Sequence, residues 1–137
     1  VASRLAIAGA AAAAAYRGEA PTLLGLAKSN VAKMRTGVLT KAIEGGDVVV
    51  EKIVRQAAQW LGRGVAVVVN LLAPDCVVLG GGLVEAMPEL YREEVTASVA
   101  AHVMPSFEGT YRIAVAELGD DAIVVGAAAW AKTMQEA

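Results

Sequence analysis

Apolar residues recur at helical spacing along most of this chain, and two short runs break from that rhythm. Ser3 is placed to cap a first helix that ends at Tyr16, ahead of Gly18. Glu19 to Thr22, with Pro21, reads as a loop, and Leu23 to Ala27 as one or two helical turns. Ser29-Asn30 opens a further helix with Val31, Met34, Val38, Leu39, Ala42 and Ile43 on its apolar side, and Gly45-Gly46 stops it. Asp47 is positioned to cap the longest helix, about residues 48 to 72, with a buried stripe at Ile53, Ala57, Trp60, Leu61, Gly64, Val67, Val68 and Leu71. Gly62 and Gly64 each cost about 1 kcal/mol in a lone helix, so close packing of another backbone is expected there. Asn70 interrupts an apolar stretch and is expected to be a core side chain bonded to backbone.

Pro74 ends that helix. Cys76 to Leu79 is then too short for a helix and is bounded by breakers, which predicts a buried strand. Behind it stand Gly80, Gly81 and Gly82, after which helical spacing resumes at Val84, Met87, Leu90 and Tyr91. An amphipathic helix follows from Met87 to Val103, with Glu89, Arg92, Glu93 and Glu94 read as an ordinary wet face. His102 near its end has no catalytic neighbour and reads as structural or exposed. Pro105 to Tyr111 is a loop, Arg112 to Ala116 a second strand, and Gly119-Asp120-Asp121 leads into a last helix from Ala122 to Gln135. The two strands form a parallel crossover, expected to be right-handed. Two strands against five helices is little sheet, which suggests that further strands lie elsewhere.

The turn at Gly80, Gly81 and Gly82 is where chemistry is expected. Strand, glycine turn and helix bring backbone N–H groups up to a ligand, and without Cβ atoms a flat or anionic group can approach the main chain. A tight turn that needs positive φ requires one glycine; three are more than it needs.

Composition narrows the picture. Of 137 residues, 56% are hydrophobic and only 4% aromatic, so the core must be built from Ala, Val, Leu and Ile. With a mean hydropathy of +0.52, the chain carries more apolar surface than a small monomer usually hides. A net charge of −2 argues against direct nucleic-acid binding by this segment. One cysteine, Cys76, allows no internal disulfide and is expected to be buried and inert; with one histidine it makes no zinc site. The apolar run from Leu5 to Ala15 behind Arg4 superficially imitates a signal peptide. It is too short to cross a bilayer and reads as an Ala-rich helix suited to close packing, so no membrane association is expected.

Four stretches taken in order resemble the C-terminal half of the ROK family of bacterial repressors, open reading frames and sugar kinases. They are Ala42-Ile43-Glu44-Gly45-Gly46-Asp47, Leu61-Gly62-Arg63-Gly64-Val65-Ala66, Val69-Asn70-Leu71-Leu72-Ala73-Pro74, and Val77-Val78-Leu79-Gly80-Gly81-Gly82. Leu118-Gly119-Asp120-Asp121-Ala122 and Gly126-Ala127-Ala128 continue the match to the end. The resemblance implies an α/β fold: the C-terminal part of an actin-like, ribonuclease-H-like ATPase domain, helix-rich with a small parallel sheet. It implies that Gly80, Gly81, Gly82 and Leu83 bind the adenosine of ATP or ADP, with Mg²⁺ accompanying the phosphates. The helix around Gly126 resembles the family's second connecting helix, which moves against its counterpart in the other lobe as the cleft closes.

The same resemblance puts the family's phosphate loops, catalytic aspartate, sugar contacts and His/Cys zinc motif upstream of residue 1. The chain is therefore expected to be the nucleotide-binding half of a cytoplasmic sugar kinase acting on a hexose or N-acetylhexosamine, inactive by itself, with the sugar held through the upstream half. The alternative is the sugar-sensing part of a transcriptional regulator whose DNA-binding helix-turn-helix precedes it. Three retained glycines favour the kinase, because the family's regulators often lose them. Glu85, Glu117 and Asp120 show no pairing that singles out a catalytic couple. A free strand edge at Cys76 to Leu79 and an uncovered surface from Ala8 to Ala15 predict a homo-oligomer.

Overall fold

A computed structural model describes residues 2–27, 30 and 33–136. In chain order, α1 is Arg4–Tyr16, α2 Pro21–Ala27, α3 Thr36–Glu44, α4 Val48–Leu72, β1 Cys76–Leu79, α5 Gly82–Ala86, α6 Pro88–Ala100, β2 Arg112–Val115 and α7 Ala122–Glu136. The strands pair in parallel, with Cys76 opposite Arg112 and Leu79 opposite Val115. They form a two-stranded sheet among the described residues.

Ser3 caps α1 as its type and position require: its Oγ accepts the Ala6 N–H at 3.2 Å. Helix α2 begins at Pro21, so the expected loop at Glu19 to Thr22 is two residues too long. Proline is well suited to a first helical position, where its missing N–H costs nothing. Helix α3 begins at Thr36, later than expected; of the proposed start, Ser29 and Val31 lie outside the described residues. Of the apolar side named for it, Leu39 and Ala42 are buried, Val38 and Ile43 are half-buried, and Met34, also buried, precedes the helix.

Asp47 stands at the N-cap position of α4 but does not cap it. Its carboxylate instead accepts the Thr22 N–H at 3.2 Å and the Leu23 N–H at 2.6 Å, both in the first turn of α2. Those donors have no partner within their own helix, and a buried carboxylate satisfies two of them at once. One side chain thus ties α2 to the α3–α4 corner.

Helix α4 is the spine of the molecule, with α1 packed on it and its most extensive contact made with α6. Its buried face is Val50, Val54, Ala57, Ala58, Gly62, Val65, Ala66 and Val69. Of the stripe expected from spacing, only Ala57 is buried. Ile53 and Leu61 are half-buried, while Trp60, Gly64, Val67, Val68 and Leu71 are exposed. The helix is apolar on nearly every side, so periodicity alone could not choose its inner face. Gly62 is where α6 comes closest: a Cβ there would lie 2.5 Å from the Ser98 Cβ and 2.9 Å from the Val95 carbonyl oxygen. Gly64 meets nothing, so the close approach expected of both glycines belongs to one.

Beside that crossing, Arg55 binds Glu51 at 2.8 Å within α4, and Glu94 at 2.7 Å and Glu93 at 3.5 Å on α6. Glu94 also accepts from Gln59 at 2.8 Å. The acidic side of α6 is therefore no plain wet face; part of it ties α6 to α4. The Gln59 hydrogen bond, with Arg55 adding to it, holds the Glu94 carboxyl below the usual carboxylate range. Asn70 behaves as expected, accepting the Met104 N–H at 2.9 Å, although it is only half-buried. His102 is exposed, with Nδ1 2.7 Å from the Ser98 carbonyl oxygen.

The Ala-rich α1 buries Ile7, Ala8, Ala11, Ala12, Ala14 and Ala15. The surface from Ala8 to Ala15 is thus covered by the chain's own helices, contrary to expectation, because small side chains let α1 lie close against α4. Exposed apolar groups gather elsewhere, at Val67, Val68, Leu71 and Leu72 of α4 and at Ile123, Val124, Val125 and Trp130 of α7. The small-residue patch at Gly126 on α7 meets no neighbour within 4 Å. Strand β1 is less buried than expected: Val78 is exposed and Cys76 half-buried, since β2 and the helices cover it incompletely. Among the described residues, no helix is long and apolar enough to cross a membrane.

Candidate functional site

The end of β1 delivers the chain into the glycine turn. The Ala116 N–H donates to the Leu79 carbonyl at 2.7 Å, fixing the last rung of the sheet directly before Gly80. Gly81 then adopts φ +98° and ψ 160°, a region open in practice to glycine alone. Gly80 and Gly82 are different. A Cβ on Gly80 would make an ordinary 3.5 Å contact with Ala116, and a Cβ on Gly82 would meet nothing within 4 Å. The turn needs one of its glycines for backbone shape. Of the other two, Gly80 lies against Ala116 and Gly82 leaves space open in front of the main chain.

That space is a cleft of about 510 Å³, lined by Gly80, Gly81, Gly82 and Leu83 on one side and by Arg4, Arg35, Thr36 and Gly37 on the other. The expected residues are all brought together. Helix α5 spans only five residues before Met87 and Pro88 break it, so any anion affinity comes from its free N–H groups rather than from a long dipole. The facing wall is the start of α3, which packs against α5, together with the first residue of α1.

Arg4, Arg35, Thr36 and Gly37 were not singled out from the sequence, since they lie more than forty residues from the turn. A faint signal was present. Arg4 gave it, directly behind the Ser3 cap, where the helix dipole disfavours a cation; Arg35 gave none, because the start of its helix was expected at Ser29-Asn30.

The lining offers three glycines and Leu83 on one side and two cations across from them. Among the described residues no carboxylate lines the cleft, and so none offers an acidic ligand to a magnesium ion. Glu85 points toward Gly119 instead, its Cδ 3.8 Å from where a Cβ there would be. Among the described residues, no group of three or more His, Cys, Asp or Glu could hold a metal.

The chain is helix-rich with a small parallel sheet, and its match to a ROK family glucokinase shows that it has the actin-like ATPase fold. The chain matches the ROK family over residues 5–134, and it belongs to that family. A ROK family glucokinase from Streptomyces griseus, solved with glucose and AMPPNP, superposes with a TM-score of 0.79 at 28% identity, over 93% of this chain and 42% of that one. A glucokinase of Thermotoga maritima is 37% identical over 68 residues, which are 50% of this chain and 21% of that protein. A glucokinase of Halalkalibacterium halodurans is 30% identical over 105 residues, 73% of this chain and 31% of that protein. The chain thus spans about a fifth to a third of the length of the curated relatives it matches.

Proposed function

We propose that this chain is the nucleotide-binding part of a ROK-type sugar kinase, which transfers a phosphoryl group from ATP to a hydroxyl of a hexose or N-acetylhexosamine. The observation that carries this reading is the division of labour among the three glycines. Gly80 lies against Ala116, Gly81 shapes the turn, and Gly82 leaves the cleft open where no contact among the described residues requires a glycine. Gly80, Gly81, Gly82 and Leu83 hold the adenosine of ATP or ADP, and Mg²⁺ enters with the phosphates. Phosphoryl transfer needs a base for the sugar hydroxyl and clamps on the transferring group. This reading assigns no catalytic residue to the chain. Its own contribution is to bind and orient the nucleoside, with sugar contacts and base coming from the remainder of the family fold. Similarity to glucokinases supports a hexose as acceptor.

The test uses the intact protein and Gly82→Val. Titration calorimetry with ADP should show affinity falling at least about tenfold, because the new side chain fills space the ligand needs. The melting temperature should stay within about 2 °C, since no protein atom lies in the way. Unchanged ADP affinity would mean that the glycines serve the turn alone. ATP-dependent phosphorylation of glucose or N-acetylglucosamine by the intact protein completes the test.

A further inference from the structure

Among the described residues, the cleft has two cations on one wall and no acidic residue in its lining. Arg4 and Arg35 are both exposed, and among the described residues neither meets a carboxylate. Arg17, Arg55 and Arg92 each pair with a glutamate; Arg63 and Arg112, like Arg4 and Arg35, do not among the described residues, but they lie outside the cleft. They come from different helices, thirty-one positions apart in the chain, and the fold brings both to face the glycine turn. Each stands at the N-terminal end of its helix, where its charge opposes the dipole. An anion between them would relieve that opposition at both ends, and a guanidinium offers a phosphate a paired set of donors.

We infer that Arg4 and Arg35 are specificity-determining residues that recognise the phosphate groups of the bound ligand, so that the cleft selects a phosphorylated nucleoside over the nucleoside itself. The inference rests on the nucleotide reading above and adds to it which side of the cleft the charge occupies. The glycine floor takes the flat and ribose portion, and the arginine wall takes phosphate oxygens. Both act in binding, and neither is assigned a part in the proton transfer or the bond-making step.

Titrations of ADP, adenosine and pyrophosphate into the intact protein and its Arg4→Gln, Arg35→Gln and Arg35→Lys variants test this. Arg63→Gln serves as a control outside the cleft, because Arg63 stacks on Trp60. ADP affinity should fall about tenfold or more in each glutamine variant while adenosine affinity stays unchanged. Arg35→Lys should recover part of the loss, and Arg63→Gln should match the parent. Raising salt should weaken ADP binding to the parent more than to either glutamine variant. Equal losses for ADP and adenosine would overturn the inference by making the arginines merely structural, and unchanged ADP affinity would overturn it outright. Tight pyrophosphate binding with no adenosine contribution would instead show a simple phosphate site. If the parent binds neither ADP nor adenosine, it is the nucleotide reading that fails.

Discussion

Gly62 and Gly82 are the same residue in opposite surroundings. At Gly62 a single added carbon would collide with Ser98 and with the Val95 carbonyl oxygen of α6; at Gly82 it would meet open space. The first glycine is empty because another helix needs the room. The second is empty although no contact among the described residues needs the room; it borders the cleft. Absence of a side chain therefore carries no functional meaning until the neighbours are known.

The contrast can be broken most forcefully at the helix crossing. Gly62→Val should destabilise by roughly 3 kcal/mol or more, since α4 and α6 must separate to accept it. Chemical denaturation measures this, and a loss under about 1 kcal/mol would mean that the crossing is loose. Asp47→Ala should cost about 2 kcal/mol, because the Thr22 and Leu23 N–H groups both lose their acceptor. Asp47→Asn, which keeps one acceptor oxygen, should recover part of that in the same assay.

Gly81→Ala is intermediate, with an expected loss of about 1–2 kcal/mol from backbone strain at φ +98°. A smaller effect comes from pH. The folded-state pKa of Glu94 is depressed, so its contribution is present above the unfolded value and fades as pH falls through the folded one. Denaturation at pH 7 and pH 3 should show a loss that Glu94→Gln reduces by about 1 kcal/mol. A variant with the same pH dependence as the parent would remove Glu94 from the account. Gly82→Ala should change stability by less than about 0.5 kcal/mol, sharpening the comparison from its quiet side. Any large loss there would mean that the cleft is not free space.

Much of the fold was legible in the residues. The strand at Cys76 to Leu79 and helix α4 came out at their observed limits, and β2 to within one residue, because Pro74, the glycines and runs of branched side chains are local signals. The Ser3 cap is local too. The glycine turn was legible as a candidate site, since three glycines in a row exceed any need of a turn.

What the chain order could not reveal were the choices made between distant segments. The inner face of α4 was misjudged because its apolar residues surround the helix, and only α1 and α6 decide which of them are covered. Asp47 sits where a cap belongs, yet its partners are the amides of a helix more than twenty residues earlier. The arginines of the cleft became part of the site only when α1 and α3 were brought to the glycine turn. Residue type and spacing determine which local structures are cheap, through backbone sterics and periodic burial. Which face is buried, which carboxylate finds which amide, and which glycine borders an open cleft depend on contacts between segments far apart in sequence, and packing alone sets those.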